Sequence, residues 1–239
     1  GKKFLKLINK TRISISNDDT RHYLNGVYLH IAQANNRNFL TGVATDSHRL
    51  SSSSFEVEKL INFNPLILPR KTVFQLSTLL AETNENLIIQ VSESKIKFQL
   101  GNIKLTSKVI DGKFPDYKKV VPINNDKTLV VSSKDFIKSI ERVTSVSLDR
   151  KEGVKLNISK DNVQLSVNSA NSGEGNEKIK ADFSADKLNI SFNSKYLLDI
   201  ASEIEDKSLK MNFKDSVSPV LIEDSSDKNS YFVIMPMKI

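Results

Sequence analysis

The 239-residue chain contains no cysteine and no tryptophan, and only three histidines, eight glycines and six prolines. Without cysteine, disulfide frameworks and thiolate metal sites are excluded. His22, His30 and His48 have no companion spacing that suggests zinc, so no metal and no cofactor is expected. No run approaches the roughly 18 apolar residues of a membrane span, and the N-terminal GKKFLKLINK is too broken by lysine for a signal peptide. A cytoplasmic protein is the expectation. With no Trp and few Tyr, the stacking platforms used on single-stranded nucleic acid are missing.

What is present is ordinary for a globular protein: 38% hydrophobic and 26% charged residues. Lys plus Arg exceed Asp plus Glu by 35 to 28, a net charge of +7, which favours a polyanionic partner if the excess gathers on one face. The length suits one large or two small domains, and a repeat decides for two. FLKLINKTRISIS (4–16) resembles FIKSIERVTSVSL (136–148), and LPRKTVFQLSTLLAETNENLIIQVSESKIKFQL (68–100) parallels FNSKYLLDIASEIEDKSLKMNFKDSVSPVLIE (192–223). A period of about 125 residues is too long for a solenoid and reads as two copies of one domain. Breakers at VVPINND (120–126) place the domains at 1–122 and 123–239.

Each copy reads helix, strands, helix, strands. Phe4, Leu5 and Ile8, then Val73, Leu76, Leu79 and Leu80, then Phe136, Ile137 and Ile140, form apolar stripes on short amphipathic helices. Period-two runs (LIIQVS, KIKFQL, KLTSKVI, NVQLSV, KLNISF, PVLIED and YFVIMPMKI) read as strands, with Pro236 marking an edge or a strand end. The fold class is therefore α+β, with helices packed on antiparallel sheet. Basic residues recur at matching helix positions, Lys6 with Lys138 and Lys71 with Lys195, and Lys10 lies beside the first of these. Such faces suit double-stranded DNA contacted through its backbone without sequence readout.

ATDSHRL (44–50) sets Asp46, Ser47 and His48 side by side, the residue types of a hydrolytic triad. Adjacent residues do not build one: on an extended segment Ser47 points away from its neighbours, and no GxSxG elbow is present. A turn is expected instead, with Thr45 or Asp46 holding backbone amides, a helical turn beginning there, and Arg49 paired to a carboxylate. SGEGNE (172–177) lacks the context of a dinucleotide loop and reads as a flexible hairpin connection. Asp18 with Asp19, and Glu203, Glu205 and Asp206, read as solvated carboxylates rather than magnesium ligands. YFVIMPMKI reads either as a last core strand or as one side of an apolar groove whose terminus is free to move aside. A small Ser/His hydrolase and a peptide-binding module without a DNA role remain alternatives to a DNA-associated protein.

LNG (24–26), VATDSHRL (43–50), LPRK (68–71), TSKVIDGKFPDYKKVVP (106–122), DSVSPVLIED (215–224) and YFVIMPMKI, in this order, resemble the bacterial sliding clamps, the beta subunits of DNA polymerase III. The resemblance covers essentially the whole chain. It implies the second and third of three clamp domains, hence a piece of a longer clamp, and Gly1 fits an artificial start. It implies a processivity factor with no catalytic mechanism. A head-to-tail homodimer ring would enclose duplex DNA, and a pocket between these two domains would bind linear motifs of polymerase, clamp loader and repair proteins. Carried over by position, the pocket would use Leu24, Thr45, Ser47, His48, Arg49, Leu50, Pro115, Lys119 and Val120. From the second copy it would use Asn193, Tyr196, Val220, Val233, Met235, Pro236 and Met237. The DNA-facing residues would be Lys6, Lys10, Lys71, Lys138 and Lys195, and an edge near Val143, Val146 and Leu148 would lack its counterpart. The chain departs from the clamp pattern at Ser47, Lys119, Pro219, Asp18 and His22, where glycine, arginine, serine, a neutral polar residue and tyrosine are familiar.

Overall fold

The computed structural model describes residues 1–57, 64–146, 153–169 and 173–238. The chain divides into two compact units, Gly1–Tyr117 and Lys118–Ile239. The contact boundary precedes the sequence breakers at 120–126 because Tyr117 belongs to the first unit, where its hydroxyl meets His30 Nε2 at 3.0 Å.

In the first unit, helix α1 (Lys2–Arg12) leads to strands β1 (Gly26–Ala34), β2 (Arg37–Thr45), β3 (Arg49–Val57) and β4 (Leu66–Pro69). Helix α2 (Arg70–Ala81) and strands β5 (Leu87–Val91), β6 (Lys95–Leu100) and β7 (Ile103–Lys108) follow. The antiparallel pairings give one sheet in the order β3-β2-β1-β4 and another in the order β5-β6-β7. Phe4, Leu7 and Ile8 of α1 and Val73, Leu76 and Leu80 of α2 enter one core with Val27, Leu29 and Phe98. The α1 stripe thus runs through Leu7, while Leu5 is only partly buried. Lys10 and Arg12 in the last turn of α1 offset its C-terminal dipole.

The second unit contains β8 (Lys127–Ser132), α3 (Ser133–Thr144), β9 (Gly153–Ser159), β10 (Asn162–Ser169), β11 (Gly173–Phe183) and β12 (Leu188–Asn193). It continues with α4 (Ser194–Ser202), β13 (Ser208–Phe213), β14 (Val220–Asp224) and β15 (Asp227–Ile234). These strands form a single antiparallel sheet in the order β12-β9-β10-β11-β8-β13-β14-β15. Phe136, Ile140 and Val143 of α3 and Leu197 and Ile200 of α4 are buried with the inner residues of the sheet. Each unit is α+β, with two helices on antiparallel sheet.

Two expectations change, and one strand lacks any apolar pattern. Gly173–Glu177 is not a flexible connection but the first half of β11, paired from Ser169↔Gly173 to Leu165↔Glu177. Glycine is needed because the helix backbone comes close: a Cβ on Gly175 would lie 2.5 Å from the Val143 carbonyl oxygen. Val143 is 2% exposed, so it is core and not an edge residue, while Leu148 lies outside the described residues. Strand β3, RLSSSSFEV, carries no apolar alternation, yet Ser51, Ser52 and Ser53 are buried and α1 packs against the strand. There the small hydroxyls bond locally, as in the 2.6 Å contact of Ser14 Oγ with Ser51 Oγ.

Candidate functional site

The triad-like heptapeptide is the turn between β2 and β3, closed by the Thr45↔Leu50 pair. Thr45 Oγ1 donates to the Arg49 carbonyl at 2.7 Å and accepts from the Ser47 amide at 3.2 Å. Asp46 Oδ1 accepts from the amides of His48 and Arg49, both at 3.0 Å, and its Oδ2 meets Arg49 Nε at 3.1 Å. The expected roles of Thr45, Asp46 and Arg49 are therefore present, but the turn reverses a hairpin instead of starting a helix. Asp46 is engaged with the turn's own amides and Arg49, an arrangement that holds the loop. Ser47 and His48 are exposed at the tip, and Ser47 has a left-handed backbone at φ 77°.

A second turn of the same unit reaches this tip. Asp18 caps the 3-10 turn Asp19–Leu24, accepting from the Thr20 amide at 2.9 Å and from Arg21 Nε at 2.9 Å. Arg21 Nη1 then donates to Ser47 Oγ at 2.6 Å. Hydrogen bonds from Thr20 and Arg21 hold the Asp18 carboxyl down to about 2. Asp18 is thus paired within its loop, which offsets the repulsion of phosphate that its charge suggests. His22 Nε2 lies 3.1 Å from the Asp111 carbonyl, and Leu24 is buried at the end of the turn. Sequence reasoning missed Arg21, whose only signal was its spacing of three from Asp18.

GKFPDY (112–117) docks on β1 through two aromatics. Phe114 stacks on Tyr28 with centroids 4.8 Å apart, and Tyr117 meets His30. Burial pushes the Tyr28 hydroxyl up from its ordinary value. Pro115 remains exposed between these anchors, and Lys119 and Val120 are exposed at the start of the second unit.

Within the second unit, Asn193 is the N-cap of α4, its Oδ1 accepting from the Tyr196 amide at 3.1 Å. Val220 and Val233 are buried strand residues, whereas Met235 and Met237 are 40% and 37% exposed. Strand β15 ends at Ile234, so Met235, Pro236 and Met237 lie beyond the ladder, as Pro236 requires. The segment is not free to swing: the Met237 amide donates to the Ser191 carbonyl at 2.7 Å. Asn125 Nδ2 bonds the carbonyls of Asn212 and Pro219 at 2.8 and 2.9 Å, fixing the chain before Val220.

Of the basic helix residues, Lys71, Lys138 and Lys195 are exposed and Lys6 is half-buried. Lys195 pairs with Asp199 at 2.8 Å, one helical turn on. Lys10 is 2% exposed and is removed from the DNA-facing set, because its position on α1 turns toward the core with Leu7 and Thr11. Arg12 and Arg70 flank the exposed Phe74 ring at 5.5 and 5.3 Å, adding cationic groups that the lysine pattern did not include. Among the described residues, no group of three or more His, Cys, Asp or Glu could hold a metal ion, and no helix is long and apolar enough to cross a membrane.

The family models for the DNA polymerase III beta subunit match end to end, its central domain over residues 1–116 and its C-terminal domain over 118–238. The chain belongs to the DNA polymerase III beta subunit family. It is 36% identical over 236 residues to the beta sliding clamp of Caulobacter vibrioides, covering 98% of this chain and 63% of that protein. To the Escherichia coli K12 beta sliding clamp it is 32% identical over 234 residues, with the same coverages. Thus this beta-subunit chain spans about 63% of the length of these relatives. Among solved structures, the pol III beta of Caulobacter crescentus superposes with a TM-score of 0.94 at 36% identity, covering 100% of this chain and 65% of that one. A Bartonella birtlesii DnaN sliding clamp bound to griselimycin gives a TM-score of 0.95 at 38% identity, with coverages of 100% and 65%.

Proposed function

We propose that this chain is the peptide-binding, DNA-contacting portion of a cytoplasmic DNA polymerase processivity clamp. The observation that carries the reading is the consecutive match to the central and C-terminal beta-subunit domains, with the relatives named beta sliding clamps. In this reading a head-to-tail ring encloses duplex DNA and slides because the contacts are weak and made to phosphates. Exposed Lys71 and Lys138 suit such contacts, and they offer no bidentate base readout.

The partner site of the proposal joins the Thr45–Leu50 turn, with Leu24, Pro115, Lys119 and Val120, to Asn193, Tyr196, Val220, Val233, Met235, Pro236 and Met237. Its occupants would be linear motifs of DNA polymerase III, the clamp loader and repair proteins. Exposed methionines supply polarizable surface for aliphatic and aromatic anchors, each contributing about 1.5 to 3 kcal/mol if fully buried. A few anchors suffice for micromolar affinity, about 8 kcal/mol, after ordering costs. His48 and Arg49 would orient the peptide, Arg49 already being held by Asp46.

The test is titration with a short peptide carrying Gln-Leu-x-Leu-Phe. His48→Ala combined with Met235→Ala is expected to weaken binding about tenfold or more, and unchanged curves would sink the site. Ser47→Ala should leave binding nearly intact, whereas a hydrolase would lose turnover.

A further inference from the structure

The absence of Trp and the scarcity of Tyr predict no stacking platform, yet an aromatic ring stands in solvent on a helix of the first unit. Phe74 is 40% exposed on α2, and the guanidinium carbons of Arg70 and Arg12 lie 5.3 and 5.5 Å from its ring centroid. Both arginines are held by neutral groups. Arg12 Nη1 donates to Ser77 Oγ at 3.1 Å, and Ser77 Oγ donates to Asn9 Oδ1 at 2.7 Å, a relay that joins α1 to α2. Arg70 Nη1 donates to Asn17 Oδ1. Among the described residues, neither arginine pairs with a carboxylate. Lys71, next in sequence to Arg70, is exposed.

The fold does not require this cluster. The repeat aligns Asn9, Arg12, Arg70 and Phe74 with Glu141, Thr144, Ser194 and Leu198, and α3 packs against α4 in the second unit with no arginine or aromatic at these places. Leu198 is half-buried there, and Lys195, which matches Lys71, is paired with Asp199. Helices α1 and α2 hold no acidic residue, whereas α3 and α4 hold Asp135, Glu141 and Asp199. A positive helix pair carrying a solvent-facing ring is thus a feature of the first unit, and it suits an anion that also presents a flat apolar group.

We propose that Phe74, Arg12, Arg70 and Lys71 form a binding site for single-stranded nucleic acid. A base stacks on the exposed part of the Phe74 ring, and the two guanidinium groups and Lys71 take neighbouring phosphates. The contact is indifferent to sequence, because every base has a π-face and every linkage one negative charge. The bonds to Ser77 and Asn17 hold the guanidinium groups in place before the strand arrives, so less side-chain freedom is lost on binding. A duplex keeps its bases stacked inside and offers Phe74 none, so the ring, unlike the cations, distinguishes the two forms. An acidic peptide would meet the cations and leave the ring uncovered. The site goes beyond the duplex contact proposed above and does not depend on it.

The experiment titrates the 239-residue chain at low salt into a fluorescein-labelled oligothymidylate of about 12 nucleotides and into a duplex of the same length, following anisotropy. Phe74→Ala should weaken single-strand binding about tenfold and leave duplex binding within about twofold, while Phe74→Tyr should keep both. Arg12→Ala combined with Arg70→Ala should weaken single-strand binding and flatten its salt dependence. A fluorescent purine analogue placed in the strand should change its emission on binding the parent chain and not on binding Phe74→Ala. No single-strand binding, a single-strand affinity that Phe74→Ala leaves unchanged, or an equal loss on both forms overturns the proposal. A chain that binds the oligothymidylate through Phe74 but binds no duplex supports it, and overturns the duplex contact instead.

Discussion

Ser47 stands in a left-handed backbone at φ 77°, a conformation that costs an L-residue about 1–2 kcal/mol and a β-branched one more. It is held there by the bonds that Thr45 and Asp46 make to the turn and by Arg21 on its hydroxyl. Urea denaturation should therefore show Ser47→Val less stable by about 1–2 kcal/mol, with Ser47→Gly within about 0.5 kcal/mol of the parent. Asp18 offers a second measurement at this scale. Its folded-state value of about 2 lies below the ordinary 3.8, so its contribution to stability is complete above the ordinary value and is lost as pH falls toward about 2. Carboxyl NMR titration should report the depressed value, and Arg21→Ala should move it upward, because one of the bonds that lowers it is gone.

Helix α3 sits close on β11, and two features set that approach. Gly175 leaves room for the Val143 carbonyl, and Arg142 makes a bidentate pair with Glu177, which holds the Glu177 carboxyl below and the Arg142 guanidinium above their usual ranges. Gly175→Ala should destabilise the protein by about 1–3 kcal/mol in thermal or chemical denaturation, since the helix must shift to admit the methyl group. Helix α4 depends on Asn193, which sequence resemblance places in the partner pocket and which the structure uses as a cap. Asn193→Ala is expected to cost about 1 kcal/mol in stability with or without peptide. A loss of peptide affinity beyond that seen with Asn193→Ser, which keeps the cap, would separate the two roles.

At the scale of the whole molecule, each unit carries an exposed lysine on a helix, Lys71 on α2 and Lys138 on α3. Reversing these charges with Lys71→Glu and Lys138→Glu should weaken duplex binding uniformly across sequences and flatten the salt dependence of the affinity. Electrophoretic mobility shifts with two unrelated duplexes over a range of salt would check this. A sequence-selective loss would contradict a sliding contact.

The repeat, the α+β class, the helices and the turn at Thr45–Leu50 were legible in the chain because apolar spacing and local side-chain chemistry act over a few residues. Strand β3 was not, because its buried face is serine, and burial there depends on α1 packing against it. SGEGNE looked like a loop because glycine signals freedom locally, while Gly175 serves a close approach from a helix some thirty residues away. Lys10 looked solvent-facing because charge predicts exposure, and only the rotation of α1 about its packed stripe placed it inside. The residues by themselves determined where the helices and most of the strands form and which segments carry positive charge. Tertiary structure decided which charges reach solvent and which carboxylates are already engaged, since these depend on contacts between segments distant in the chain.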